Sequence, residues 1–262
     1  MVLGIIVTYN PSIVDIEKNI LAIKPQLDKL IVFDNASENV QELYELCNKL
    51  NVEFIKSNRN VGLGAAYNFV INSNNNFDYL ATFDQDTFLK VNTIKQLLSL
   101  FNINLSVGIV GPSFFKKRIM SENDYIEVDY LIQSCAIFSK IVIDKVGLFN
   151  ENLFIDSVDF EYCLRTLKLK FKIIKSTTVI IEHNLGIQNK KFGINFIQHN
   201  ALRNYYIARN HKFLTKKYIK YFPYFILRKN FFFIIHILKL IFLDQDLKKI
   251  KSLVQGLKDN VD

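Results

Sequence analysis

Of 262 residues, half are hydrophobic, 23 are Phe, 12 are Tyr and none is Trp, which supplies a sizeable core for one large α/β domain with a C-terminal extension. Lys and Arg outnumber Asp and Glu by 33 to 25, but no basic recognition motif accompanies the charge, so nucleic acid is excluded as an expected partner. Cys47, Cys135 and Cys163 form neither a disulfide framework nor a metal-ligand spacing and read as reduced core thiols of a cytosolic protein.

Met1 leads straight into the apolar run Val2 to Val7 with no basic region before it, so no signal peptide is expected. That run ends in Thr8-Tyr9-Asn10-Pro11. A second, Leu30 to Phe33, ends in Asp34-Asn35-Ala36-Ser37, and Val52 to Ile55 leads to Asn58-Arg59-Asn60-Val61-Gly62. Each has the length of a buried parallel strand. Between them Ile13 to Ile23 and Val40 to Leu50 carry apolar residues at helical spacing, with Ser12 and Ser37 placed as N-caps. A fourth run, Asp78 to Phe83, follows the polar loop Asn72 to Asn76 and ends in Asp84-Gln85-Asp86. Alternating strands and helices predict a doubly wound parallel sheet, which binds ligands at the carboxyl ends of its strands.

Asp84 and Asp86 therefore stand where a ligand would arrive. Mg2+ and Mn2+ prefer carboxylate oxygen and share it with substrate phosphates, although Asp-x-Asp is also an ordinary solvated turn. Asn60 to Asn68 is no dinucleotide fingerprint, because Tyr67 stands where glycine or alanine is needed and the third strand precedes it, not the first. Its small residues Gly62, Gly64, Ala65 and Ala66 admit either a ligand or a tightly packed helix.

These strand-end segments are followed in order by Asn68, Phe83 to Thr87, Val110-Gly111-Pro112, Leu131 to Ser134, Val146 to Phe149, Leu153 to Asp156, Val158 to Arg165, Glu182-His183-Asn184-Leu185-Gly186 and Arg203-Asn204-Tyr205-Tyr206. In that order and spacing the chain resembles a family 2 glycosyltransferase of GT-A fold, and most closely the bacterial rhamnosyltransferase branch, from Met1 to about Asn210. The resemblance implies a mostly parallel central sheet flanked by helices. A nucleotide-binding half would reach about residue 111, an acceptor half would span about 112 to 211 with helix-like Phe196 to Asn210 closing it, and a basic, aromatic-rich helical tail would occupy 212 to 262.

It also implies site residues. Thr8 and Tyr9 would border base and ribose, Asp34 would accept a hydrogen bond from the pyrimidine edge, Asp84 would contact ribose, and Asp86 would hold Mg2+ or Mn2+. Arg59 and Asn60 would reach the nucleotide or phosphate region, with a solvated arginine as the other reading. His183 would lie near the diphosphate or metal, or serve the strand end structurally. His199, Arg203, Tyr206 and Arg209, read as one helix face, would meet diphosphate or acceptor, with a solvated face open for His199 and Arg209.

The segment Asp156 to Arg165 reads as a loop entering a helix, where an aspartate also serves as an ordinary cap. Inverting sugar transfer needs a carboxylate to take the proton of the acceptor hydroxyl. Aligning Glu161 and Arg165 with the family's acidic-x-x-x-Arg spacing puts Asp159 at the position of the usual base. Val158 stands where many relatives carry glutamate, which leaves Asp156 as a rival.

The tail is the charged part. Residues 1 to 211 hold 22 Lys and Arg against 21 Asp and Glu, and residues 212 to 262 hold 11 against 4. Its longest uncharged stretch is too short for a spanning helix, which needs about 20 apolar residues. It reads either as an interfacial segment on an anionic membrane or as a helical cap on the sheet or on a partner copy.

The function implied is metal-dependent, inverting transfer of a sugar, rhamnose from dTDP-rhamnose, onto a cell-surface polysaccharide or lipid-linked oligosaccharide, at the inner face of the plasma membrane. UDP-hexose donors stay open, as does a non-catalytic nucleotide-sugar-binding or membrane scaffold protein. A sugar-phosphate nucleotidyltransferase would carry a glycine-rich, Arg-containing loop in place of Thr8-Tyr9-Asn10-Pro11.

Overall fold

The four N-terminal apolar runs form parallel strands β1 Val2–Thr8, β2 Lys29–Asp34, β3 Glu53–Lys56 and β4 Tyr79–Asp84 in the computed structural model. The structure describes residues 1–114, 123–181, 188–191 and 194–261, with backbone alone for 188–191, 194–195 and 197. With β5 Val107–Ser113, β6 Tyr125–Glu127, β7 Ala136–Ser139 and β8 Lys172–Ile180 they build an eight-stranded sheet in the order β3-β2-β1-β4-β7-β5-β8-β6. β7 enters antiparallel between β4 and β5, and β6 closes the edge antiparallel to β8. β9 Gln188–Lys191 and β10 Ile194–Ile197 make a separate hairpin.

Every residue of β1 is buried because helices cover both sheet faces. Side chains alternate accordingly. Ile6 packs in one layer with Val32, Phe83, Ile16 and Ile20, whereas Ile5 and Val7 pack in the other with Phe33, Tyr67, Phe138 and Tyr162. The first layer is roofed by α1 Ile13–Ile23, α2 Val40–Lys49 and α4 Thr93–Ser99, and the second by α3 Leu63–Ser73, α5 Lys140–Val146 and α6 Val158–Lys168. Cys47, Cys135 and Cys163 are buried free thiols.

Ser12 caps α1, accepting a hydrogen bond from the Asp15 amide at 3.4 Å. Ser37 does not cap α2. Asn39 occupies that position, and the Ser37 hydroxyl turns to Asp34 instead. The expected helix from Phe196 also differs: Phe196 lies in β10, and α7 Ala201–Tyr218 begins after Asn200, whose side chain accepts from the Arg203 amide at 2.8 Å. A polar N-cap beats helical periodicity as a start signal here.

α7 continues unbroken across residue 211, so the basic segment grows out of the preceding domain. α8 Pro223–Lys239 inserts Phe225 and Ile226 beside Leu164 of α6 and Leu214 and Tyr218 of α7. A π turn, Leu240–Asp244, leads to α9 Leu247–Lys258, which packs so closely on α7 that a Cβ at Gly256 would strike the Tyr205 carbonyl. The opposite face of α8 stays exposed, with Tyr224, Leu227, Phe231, Phe232, Ile234 and Leu238 open to solvent. Among the described residues no helix is long and apolar enough to cross a membrane.

Candidate active site

Parallel register brings the predicted strand-end residues to one edge: Thr8 lies opposite Asp34, and Val7 opposite Asp84. The loops beyond them are laced together. The Asn10 amide donates to the Ser37 hydroxyl at 2.8 Å while its side chain accepts from the Glu38 amide at 2.8 Å, and the Tyr9 amide donates to Gln85 at 2.9 Å. Gln85 thus ties the Asp-Gln-Asp turn to the first loop, while Thr87 closes that turn on the Asp84 amide at 3.1 Å. Tyr9 is exposed on the loop after β1, and Arg59 is exposed on the loop after β3.

Asp34 has a structural task that its motif did not announce. It is wholly buried, and its carboxylate accepts from Thr8 Oγ1 at 3.1 Å, Ser37 Oγ at 2.5 Å and the Ser37 amide at 2.9 Å. Asn60 likewise faces inward, accepting from the Gly62 amide at 3.0 Å as α3 begins.

The glycines of that segment serve helix packing. Gly62 has φ +83°, and a Cβ there would lie 2.6 Å from the Phe154 carbonyl oxygen; at Gly64 it would lie 2.9 Å from that of Asn150. The Leu63 amide donates to the Phe154 carbonyl at 2.7 Å. Buried Asn68 donates to the Phe149 carbonyl at 2.9 Å and accepts from the Phe149 amide at 2.8 Å. α3 therefore clamps the loop 149–157 that carries the second aspartate cluster.

That loop is held in unusual backbone. Phe154, Asp156 and Ser157 all adopt positive φ, between +59° and +67°. Non-glycine residues there are strained, and such strain concentrates at functional sites. Asn210 of α7 over-determines the conformation, donating to the carbonyls of Leu153, Ile155 and Asp156 at 2.8 to 2.9 Å. Tyr206 stacks on Phe154 at 4.8 Å, and Arg209, over the Tyr206 ring at 4.7 Å, donates to the Asn152 carbonyl. Tyr206 and Arg209 thus position the loop; the solvated-face reading of Arg209 does not hold, because stacking and the carbonyl occupy it. His199 precedes the helix and is half-buried, and burial with Arg203 lowers its imidazole to about 4.

The two aspartates are now distinguishable. Arg203 grips both oxygens of Asp156, at 3.0 to 3.3 Å. Asp159 sits in the first turn of α6, with one oxygen accepting from the Phe160 amide at 2.8 Å. Burial raises its carboxyl to about 6; the Phe160 amide and the Lys229 ammonium oppose the rise, and the Asp156 and Asp84 carboxylates add to it. A carboxylate raised toward neutrality is matched to accept a proton. Burial, with Asp84 and Asp159, holds the Tyr67 phenol well above its usual range, so Asp84, Asp159 and Tyr67 share one neighbourhood.

Asp84 and Asp86 give a half-buried, all-oxygen donor pair that suits a hard cation, which would complete its shell with water and diphosphate. No cluster of three metal-binding side chains occurs among the described residues. His183 lies outside the described residues.

Residues 5–125 match the sequence profile of Glycosyl transferase family 2. The chain is also 30% identical over 237 residues, 82% of its own length and 79% of the relative's, to the dTDP-rhamnosyl transferase RfbF of Shigella flexneri. It belongs to glycosyltransferase family 2. A second relative, the low-salt glycan biosynthesis hexosyltransferase Agl10 of Haloferax volcanii, is 21% identical, with 79% of this chain and 75% of the relative aligned. Among solved structures, the mannosyltransferase PcManGT of Pyrobaculum calidifontis in complex with GDP-Man and Mn2+ superposes at a TM-score of 0.66 with 14% identity, covering 98% of this chain and 73% of that one. GalNAc-T7 with UDP, GalNAc and Mn2+ superposes at 0.59 with 12% identity, covering 81% of this chain but half of the larger protein. The fold is therefore that of GT-A glycosyltransferases.

For this family 2 glycosyltransferase, sequence reasoning missed Lys229. Its ammonium sits over the rings of Tyr130 at 4.3 Å and of Phe160, the residue after Asp159, at 3.3 Å. Lys217, although half-exposed, donates to buried Glu161 at 3.0 Å.

Proposed function

We propose that this glycosyltransferase moves rhamnose from dTDP-rhamnose to a saccharide hydroxyl with inversion, Asp159 acting as base. The observation that carries the reading is Asp159 itself: a carboxyl raised by burial, in the same neighbourhood as the Asp84 strand end, while Asp156 is held by Arg203. Asp159 would take the acceptor proton as the acceptor oxygen bonds to the anomeric carbon and the bond from that carbon to the nucleoside diphosphate breaks. Mg2+ or Mn2+, held by Asp86 with Asp84 beside it, would stabilise charge on the departing diphosphate. Thr8, Tyr9, Arg59 and Asp84 would border the nucleotide, and Arg203, half-exposed above Asp156, would reach its phosphates. The choice of rhamnose is supported by the dTDP-rhamnosyl transferase relative; the hexosyltransferase relative keeps a UDP-hexose donor as the second reading.

The exposed apolar face of α8, flanked by exposed Lys216 and Lys220, would rest on an anionic membrane at the cytoplasmic side, near a lipid-linked acceptor. A thermal-shift panel tests the donor. With Mn2+, dTDP-rhamnose at 100 times its Kd should stabilise the fold by about 2.7 kcal/mol. Larger stabilisation by a UDP-hexose would transfer the assignment to that donor.

A further inference from the structure

One face of α7 and the residues that follow α9 enclose a cavity of about 380 Å3, whose wall includes Arg209, Lys212, Lys216, Lys217, Phe213 and Asp259. None of Thr8, Asp34, Asp84 or Asp86 lines it. We propose that this cavity is a diphosphate-binding site, separate from the nucleotide edge of the sheet.

Helical spacing gathers the cations. Positions 209, 212 and 216 fall on one face of α7 and rise over about 10 Å, where like charges three and four residues apart repel one another. Neutral groups hold two of them in place. Arg209 donates to the Asn152 carbonyl and to the Asn210 side chain at 3.1 and 3.2 Å, and lies over the Tyr206 ring at 4.7 Å. Lys212 donates to the carbonyls of Lys258 and Asp259, at 3.1 and 3.2 Å. A carbonyl fixes a cation without cancelling its charge. Lys216 is exposed and has no partner among the described residues.

The carboxylates nearby are already engaged. Asp259 accepts from the Tyr205 hydroxyl at 2.8 Å and from Gln255 at 2.7 Å, and Glu161 takes Lys217 together with Arg165 and Tyr218. Arg209, Lys212 and Lys216 therefore line one cavity with no carboxylate paired to any of them among the described residues. A planar guanidinium beside ammonium groups on a concave wall is the donor set that recognises phosphate oxygens. Three cations spread over two helical turns suit a diphosphate better than a single carboxylate, which would engage one of the positions. Phe213 and Val261 supply an apolar wall for the stem that carries the anion, and the volume falls within the range of about 300–1,000 Å3 usual for ligand cavities. Arg209 also reaches Asn152, in the loop that carries Asp156, so the cavity borders the acceptor half of the protein. A lipid-linked acceptor is the expected source of the diphosphate, and that source alone rests on the acceptor proposed above.

Calorimetric titration of the full chain with pyrophosphate in EDTA tests the site, because without a divalent cation the carboxylates of Asp84 and Asp86 repel the anion. The parent should bind one equivalent, more weakly as salt rises, and the Lys212→Gln, Lys216→Gln double variant should bind about tenfold more weakly or worse. Lys251→Gln, an exposed lysine of α9 outside the cavity wall, should match the parent. Farnesyl diphosphate bound at least as tightly as pyrophosphate assigns the site to a lipid-linked diphosphate, and weaker binding assigns it to a free one. No pyrophosphate binding by the parent, or an unchanged affinity in K212Q/K216Q, overturns the proposal. Capture of phosphatidylglycerol vesicles through these lysines with no diphosphate bound overturns it as well. Should the double variant fail to fold, Lys216→Gln alone decides by the same comparison, its side chain being exposed. Stabilisation by dTDP-rhamnose with Mn2+ should be equal in parent and K212Q/K216Q; its loss in the variant would place the lysines at the donor site and overturn a separate one, whereas its absence in the parent would count against the donor alone.

Discussion

Glu161→Gln probes the joint between the catalytic helix and the C-terminal helices. Glu161 is 1% exposed; one oxygen accepts from Arg165 Nε at 2.8 Å, and the other from Lys217 Nζ at 3.0 Å and the Tyr218 hydroxyl at 2.7 Å. Arg165 goes on to the carbonyls of Val146 and Leu148, so one carboxylate links α5, α6 and α7. Breaking a buried ion pair costs about 3–5 kcal/mol. Gln keeps one acceptor, and Lys217 is 44% exposed and partly screened, so the expected loss is about 2–3 kcal/mol. At roughly 2–4 °C per kcal/mol for a chain of this size, the melting temperature should fall by about 4–12 °C. Burial alone would raise the Glu161 carboxyl, but Arg165, Tyr218 and Lys217 together bring it below its usual value. Its contribution is therefore complete above the unfolded carboxyl pKa and fades as pH falls through the lower folded value. Urea unfolding of parent and E161Q should differ fully at pH 7 and converge in acid below the ordinary glutamate range. A difference at pH 7 below about 0.5 kcal/mol, the range of an ordinary surface change, would refute the joint.

Asp86→Ala should abolish the Mn2+-dependent part of donor stabilisation while changing metal-free stability by no more than about 0.5 kcal/mol, since the side chain lies in a half-buried turn; unchanged Mn2+ dependence would remove Asp86 as a ligand. Flotation with anionic vesicles should weaken in high salt and in the Lys216→Glu, Lys220→Glu double variant, and be lost when Phe231 and Phe232 become Ser. Equal flotation on neutral vesicles, or none on either, would assign the exposed face of α8 to a partner copy instead.

The half of the fold that alternates strand and helix was legible because burial on both sheet faces writes continuous apolar runs, as in Val2 to Val7 and Leu30 to Phe33. β7 was not, because Ala136 to Ser139 is too short to carry a period and its place between β4 and β5 is set by partners far along the chain. Similar limits apply at the site. Strand-end motifs announce which residues cluster, but not that Asp34 is spent on Thr8 and Ser37 or that Asn68 binds a backbone 81 residues away. Lys229 looked like one more cation in a basic tail. Only the docking of Phe225 and Ile226 shows that its side of α8 turns toward Phe160 and Leu164 of α6.

The central claim is that Asp159 is the base of a nucleotide-sugar transfer, and the direct measurement compares Asp159→Asn with Asp156→Asn for donor binding and for release of the nucleoside diphosphate. Asp159→Asn should bind dTDP-rhamnose as the parent does and lose turnover by about 100-fold or more, the amide keeping the shape but not the proton acceptor. Asp156→Asn should keep measurable turnover. A variant pair in which Asp159→Asn turns over normally and Asp156→Asn does not would contradict the account.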